Sequence, residues 1–197
     1  DGTLAASAAM KITHSVALAK ITAPRRTSVA VDRDDALKAL VKCLSHRIVI
    51  VEGPAGSAKT GFLAESHRRL SANAKRWRCA WLSVDESDDR WRLARHVAAA
   101  LKTIWNAIDL DELEELYREG ERFFTIALSN YLLSTTVSEG ADYVLFVDDL
   151  HHAKPDAVAE FLNVVAEYFP ENVHVVASGN YELWDNLDLR FRDSVSA

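Results

Sequence analysis

One stretch constrains this chain more than any other: Ile48-Val49-Ile50-Val51-Glu52-Gly53-Pro54-Ala55-Gly56-Ser57-Ala58-Lys59-Thr60. An apolar, β-branched run enters a glycine-containing turn that ends in Lys-Thr, and helix-forming residues follow. The run reads as a buried strand, the turn as a loop whose backbone N–H groups wrap an anion, and Lys59-Thr60 as a helix start. The dipole and free N–H groups of a helix's first turn favour a phosphate at that point. The stretch fits the P-loop pattern G-x-x-x-x-G-K-[ST] at all but one position. Read this way, Gly53, Pro54, Ala55, Gly56, Ser57, Ala58, Lys59, Thr60 and Gly61 surround the phosphates. Lys59 reaches the β- and γ-phosphates, and the Thr60 hydroxyl binds Mg²⁺. Ala58 stands where the pattern has its second glycine. It puts a methyl group where the backbone must approach the phosphates, so a lower affinity is expected. Taken alone, the loop also admits a plainer reading, a strand–turn–helix with an accidental lysine.

The second half of such a site is an acidic strand tip. Tyr143-Val144-Leu145-Phe146-Val147 is a continuous apolar run that ends in Asp148-Asp149, the form of a Walker B strand. Phosphoryl chemistry needs a divalent metal to offset phosphate charge and an oriented water to attack. Asp148 is expected to hold Mg²⁺, and Asp149 to polarise the water, although its side chain reaches less far than a glutamate. A strand that ends in an Asp-rich turn is common by itself. It is a poorer account of two acids that follow a phosphate loop in a βαβ chain.

Between and around these motifs the chain alternates apolar strands with helical periodicity. Helices are expected from Asp32 or Asp34 to about Ser45, from Lys59 to Ser71, after Asp85–Asp89, through Asp109–Val137 with a break at Gly120, and from Pro155 to Tyr168. Strands are expected at Arg47–Glu52, Cys79–Val84, Tyr143–Val147 and Val173–Ala177. Continuous apolar strands alternating with helices imply a parallel sheet covered on both faces, with the ligand at the strands' carboxyl ends. The phosphate loop and the Asp pair both fall at such ends. The acids at 85–89 read as helix caps, the acids of 109–115 as a solvated face, and Trp81, Trp91 and Trp105 as packing. Lys20 to Asp32, with Pro24, Arg25 and Arg26, reads as an extended arm. His151-His152 has no cysteine or further histidine at ligand spacing and reads as a polar loop near the γ-phosphate or a neighbouring segment. Ser178 and Asn180 stand where related ATPases place a polar γ-phosphate sensor.

The bulk properties narrow the class further. At 197 residues and 49% hydrophobic, the chain suits one α/β domain with a sizeable core. A net charge of −6 argues against a dedicated nucleic-acid binder, and the basic cluster from His67 to Arg78 reads as a solvated face. Two cysteines, Cys43 and Cys79, without metal spacing read as free thiols of a reducing, cytoplasmic compartment. No apolar run is long enough for a membrane span. Residues 1–19 read as a disordered lead-in or tag remnant, with Met10 as a possible true start, and 20–197 as one P-loop NTPase domain, a fragment of a larger protein. The Asn-Lys-x-Asp signature that reads guanine is absent, which favours ATP by default.

Several segments together resemble the N-terminal NTPase domain of the MalT-like, LuxR-type transcriptional regulators, a branch of the STAND class of signalling ATPases. They are Lys20-Ile21-Thr22-Ala23-Pro24-Arg25, the helix entry at Arg33, the phosphate loop, Trp81-Leu82-Ser83-Val84-Asp85-Glu86 and Val147-Asp148-Asp149-Leu150-His151. Pro170-Glu171-Asn172 and Leu189-Arg190-Phe191-Arg192-Asp193 complete the match, which covers about Lys20 to Asp193. The resemblance implies a three-layer P-loop NTPase with a parallel sheet ordered 5-1-4-3-2, whose fifth strand would begin about where this chain stops. It also implies a switch, in which ATP with an inducer favours an active, self-associated state and ADP the resting one. DNA would be bound only through a C-terminal region beyond this chain. In such regulators an arginine commonly follows the sensor strand; Gly179 stands there. With Ala58, this predicts slow or no turnover. Two alternatives stay open: a degenerate scaffold for protein–protein contact, and a small-molecule kinase, for which Arg90, Arg92 and Arg95 would form the lid.

Overall fold

The structure, a computed structural model, describes residues 17–25 and 34–180. In chain order these form α1 (Asp34–Cys43), β1 (Ile48–Glu52), α2 (Lys59–Ser71), β2 (Trp77–Ser83), α3 (Arg90–Lys102) and α4 (Leu110–Glu119). Then follow α5 (Glu121–Glu139), β3 (Asp142–Asp148), α6 (Pro155–Tyr168) and β4 (Val173–Gly179), with short 3-10 turns at Leu18–Ile21 and Leu150–His152. Among the described residues the sheet has four strands in the order β1-β4-β3-β2, every pair parallel. This is the α/β class expected, and the order is compatible with 5-1-4-3-2. The expected fifth strand, like the segments 26–33 and 189–193, lies outside the described residues.

The strands read as unbroken apolar runs because both of their faces are covered. Tyr143, Leu145 and Val147 of β3 join Val175, Leu93, Val97, Leu101 and Phe161 in the larger core, under α3 and α6. Val144 and Phe146, one residue out of step, join Val49, Val176, Leu40, Leu63 and Trp81 under α1 and α2. Trp81 stacks on Phe146 with ring centroids 6.4 Å apart, and Trp105 on Tyr143 at 4.1 Å. Trp91 lies against Tyr117 at 4.0 Å. All three tryptophans are packing residues, as expected.

Four local expectations change. β2 starts at Trp77, not Cys79, because Trp77 pairs with Asp142 and is itself buried. His67 does not belong to a solvated face: its ring packs edge-on against Trp81 and Phe146, and burial pushes its pKa down. Arg68 and Arg69 beside it are the exposed, solvated members, both paired with Glu65. Asp109 is a helix cap and not merely surface charge, accepting from the Asp111 and Glu112 N–H groups at 3.0 and 3.3 Å. The arm is not extended at its start, since Lys20 sits in the turn Leu18–Ile21.

Candidate functional site at the carboxyl edge of the sheet

The loop after β1 is shaped by two residues on the left-handed side of backbone space. Gly56 has φ 79° and Ala58 φ 61°, ψ 35°. The Ser57 N–H donates to the Pro54 carbonyl at 3.2 Å and tightens the turn between them. A Cβ on Gly53 would stand 2.6 Å from Ser57 Oγ and 3.2 Å from Ser57 Cβ, so a side chain there would have to displace Ser57. Lys59 opens α2, and its Nζ donates to the carbonyls of Gly53 and Pro54 at 2.7 and 3.1 Å, lying across the loop it follows.

Ala58 departs from the pattern in a way the sequence did not specify. The second glycine position needs a left-handed backbone, and Ala58 adopts it despite its Cβ. Left-handed helical geometry costs an L-residue roughly 1–2 kcal/mol, part of which a glycine would return to the unfolded chain as entropy. Ala58→Gly is therefore expected to stabilise the folded chain by about 0.5–1 kcal/mol. A urea midpoint that rises with unchanged slope would bear this out; an unchanged or lower midpoint would contradict it.

At the tip of β3 three elements converge on one carboxylate. Asp148 is buried; Oδ1 accepts from Ser178 Oγ at 2.7 Å and from Thr60 Oγ1 at 3.2 Å. Thus α2, β3 and β4 meet at a single oxygen. Burial pushes the Asp148 carboxyl up and the adjacent Asp149 carboxylate adds to this, against the hydrogen bonds from Ser178 and Thr60. Asp149 turns the chain with φ 57°, and its N–H donates back to Ser178 Oγ at 2.9 Å. Ser178 thus bridges the two aspartates, donating to the Asp148 carboxylate and accepting from the Asp149 N–H. His151 is half-buried and His152 exposed, their rings 4.2 Å apart. Burial pushes the His151 pKa down, with His152 adding to it.

One cluster at this edge was missed. Asp88 is fully buried, and its carboxylate accepts from Lys20 Nζ at 2.8 Å, His96 Nδ1 at 2.7 Å and the Asp85 N–H at 2.9 Å. Lys20 also pairs with Asp85 at 3.0 Å. Asp88 is thus the fastening of the 3-10 turn Leu18–Ile21 to the end of β2; the capping expected of this acidic run falls to Asp89, which accepts from the Arg92 N–H. Only the apolar periodicity of α3 hinted at the arrangement, by leaving His96 on its buried side. Burial pushes the Asp88 carboxyl up, but the hydrogen bonds from His96 and Lys20 prevail and hold it below the ordinary value. Asp85 is lowered to about 2, chiefly by Ser87, with Lys20 contributing. Both shifts are downward, so the stability they confer is complete above the ordinary aspartate range, near about pH 4. It is lost as pH falls through the lowered values. Protection of the amides at 18–21 against exchange is expected to fall between about pH 4 and pH 2, ahead of that of the sheet amides. Simultaneous loss would contradict a local clamp.

Of the residues named from sequence, the structure brings Thr60, Asp148, Ser178 and Asp149 into one hydrogen-bonded group, with Lys59 on the adjoining loop. Arg90 and Arg95 do not form a lid: Arg90 pairs with Asp156 and Glu160 on α6, and Arg95 with Glu114 on α4. Among the described residues no helix is long and apolar enough to cross a membrane.

No family model matches the chain. It is 26% identical over 178 residues to the HTH-type transcriptional regulator MalT of Yersinia pestis (strain Pestoides F), covering 89% of this chain and 19% of that protein. To MalT of Vibrio campbellii it is 28% identical over 166 residues, covering 81% of this chain and 17% of that one. The chain thus spans less than a fifth of the length of these relatives. Among solved structures, the ORC1 protein of Aeropyrum pernix in complex with DNA superposes with a TM-score of 0.57 at 17% identity, over 85% of this chain and 44% of that one. Cdc6p of Pyrobaculum aerophilum gives 0.53 at 16% identity, over 88% and 46%. At such identities these two speak for the fold alone. In sequence the chain is similar to MalT, and its parallel α/β fold is that of these two structures.

Proposed function

We propose that this chain is a nucleotide-binding switch domain that takes up Mg-ATP and hydrolyses it slowly. The observation that carries the reading is the approach of Thr60 Oγ1 to Asp148 Oδ1 at 3.2 Å. It joins the helix that follows the phosphate loop to the acid at the tip of β3, and the two oxygens are donors of the hard kind that Mg²⁺ prefers. Gly53 and Gly56 keep the loop backbone open for close approach by phosphate oxygens, and Lys59 supplies the cation. A divalent cation here would offset phosphate charge and hold Asp148, whose burial otherwise favours its neutral form, as a carboxylate. Asp149 is the group for orienting water, on a backbone turn that Ser178 fixes.

Slow turnover follows from the residues themselves. Gly179 supplies no guanidinium to the developing charge, and Ser178 is committed to Asp148 and Asp149. Ala58 adds a methyl group beside the phosphates. In a longer protein of MalT type, such a domain would report nucleotide state to a DNA-binding region and to neighbouring copies of itself. The kinase alternative is weakened by the pairing of Arg90 and Arg95 elsewhere.

Single-turnover phosphate release with Mg-ATP tests the catalytic part. Asp149→Asn, which tolerates the left-handed turn, is expected to bind ATP as the parent does and to release phosphate about a hundredfold more slowly, the scale of a lost general base. Equal release by both would remove Asp149 from the chemistry. Transfer to an added acceptor in place of water would favour the kinase.

A further inference from the structure

We propose that Asp149, His151 and His152 form a binding site for a borderline divalent cation of the Zn²⁺ type, adjoining but distinct from the Thr60–Asp148 pair. One ligand atom from each residue lies within 4.8 Å of the other two. Sequence spacing hid this, because the third ligand is neither a cysteine nor a histidine but the second acid of the strand tip. Among the described residues His151 Nδ1 is buried without a hydrogen-bond partner, and Asp149 Oδ1 lies 3.9 Å from it. A buried nitrogen without a partner costs free energy, and a cation at that point would satisfy it.

The backbone holds the three together. Asp149 is in the left-handed region with its N–H on Ser178 Oγ, and the His152 N–H donates to the Asp149 carbonyl at 2.9 Å. Leu150, fully buried in the turn, anchors it, and the two imidazoles come to 4.2 Å between centroids with their planes tilted by 33°. Two imidazoles and one carboxylate are a nitrogen-rich set that suits Zn²⁺, Co²⁺ or Ni²⁺ and not Mg²⁺, which prefers oxygen. Three protein ligands leave a fourth position for water or an anion. A cation held there takes Asp149 away from the attacking water. This consequence rests on the role proposed for Asp149 above; the binding itself does not.

The test uses Co²⁺ alone, added to the nucleotide-free chain, with ligand-field absorption as the readout. Saturable one-to-one binding that Zn²⁺ displaces is expected. His152 is exposed, so His152→Ala should fold as the parent does and bind Co²⁺ at least about tenfold more weakly, the scale on which even outer-shell partners act. His46→Ala, exposed after α1, should leave binding unchanged. No saturable binding, equal affinity in His152→Ala, or a thiolate charge-transfer band from Cys43 or Cys79 would overturn the site. A second arm compares phosphate release with and without Zn²⁺: inhibition in the parent and its loss in His152→Ala is expected. Co²⁺ binding without inhibition would leave the site standing and overturn its hold on Asp149.

Discussion

Replacing Lys59 by alanine is expected to weaken Mg-ATP binding roughly a hundredfold while leaving the fold intact. Its ammonium group lies on the phosphate loop itself, donating to the carbonyls of Gly53 and Pro54. A phosphate bound at the loop would take the place of these carbonyls as the partner of the ammonium group. Hydrogen bonds to charged partners contribute about 1.5–3 kcal/mol each, and two at the lower end of that range, about 3 kcal/mol together, correspond to about two decades of affinity. The fold depends little on this side chain, because α2 is held by Leu63 and Leu70 in the core under that face of the sheet. A change of unfolding free energy within about 0.5 kcal/mol is expected, as for surface substitutions in general. Calorimetric titration of parent and variant checks both halves. Parent-like affinity in Lys59→Ala would mean that the loop does not hold phosphate.

Asp88→Ala is expected to cost about 3 kcal/mol of stability, the scale on which one partner of a buried ion pair is missed. The effect should exceed that of any surface charge in the chain. Asp88 is fully buried and accepts from Lys20, His96 and the Asp85 N–H; without it Lys20 keeps only the half-exposed Asp85. His96 then loses its carboxylate on the inner side of α3. Exposed pairs such as Lys38–Asp35 contribute little, because solvent screens them and ordering two long side chains opposes the gain. Urea unfolding of Asp88→Ala beside Asp35→Ala separates the two classes. A loss below about 0.5 kcal/mol for Asp88→Ala would show that the clamp is a surface pair in energetic terms. Asp88→Asn keeps the shape and removes the charge, so it divides packing from electrostatics.

Much of the architecture was legible because the strands are unambiguous. Ile48–Val51, Val144–Val147 and Val175–Ala177 are apolar throughout, the pattern of strands covered on both faces of a parallel sheet. Pro155 and Gly120 marked helix boundaries to the residue. The contact of Thr60 with Asp148 was legible in outline, since two motifs at strand ends of one parallel sheet must share an edge. What stayed hidden depends on side chains that meet from distant parts of the chain. Lys20 and Asp88 are joined across 68 positions, and neither carries a pattern that names the other. His67 looked solvated because arginines follow it, yet its own position on α2 faces Trp81 and Phe146. Ser178 was placed correctly at the end of β4, but its partners, Asp148 and the Asp149 N–H, depend on strand register. Backbone conformation was the least legible: nothing in the residue name Ala58 announces φ 61°.

The central claim is that this chain holds nucleotide at the loop between β1 and α2, with Mg²⁺ between Thr60 and Asp148. The most direct measurement is calorimetric titration of the parent chain with ATP, with and without Mg²⁺, repeated on Ala58→Gly. Saturable one-to-one binding that Mg²⁺ strengthens is expected, with a further gain when the methyl group of Ala58 is removed. Absence of binding in the parent and also in Ala58→Gly would contradict it, and would leave a P-loop fold kept for contact with other proteins.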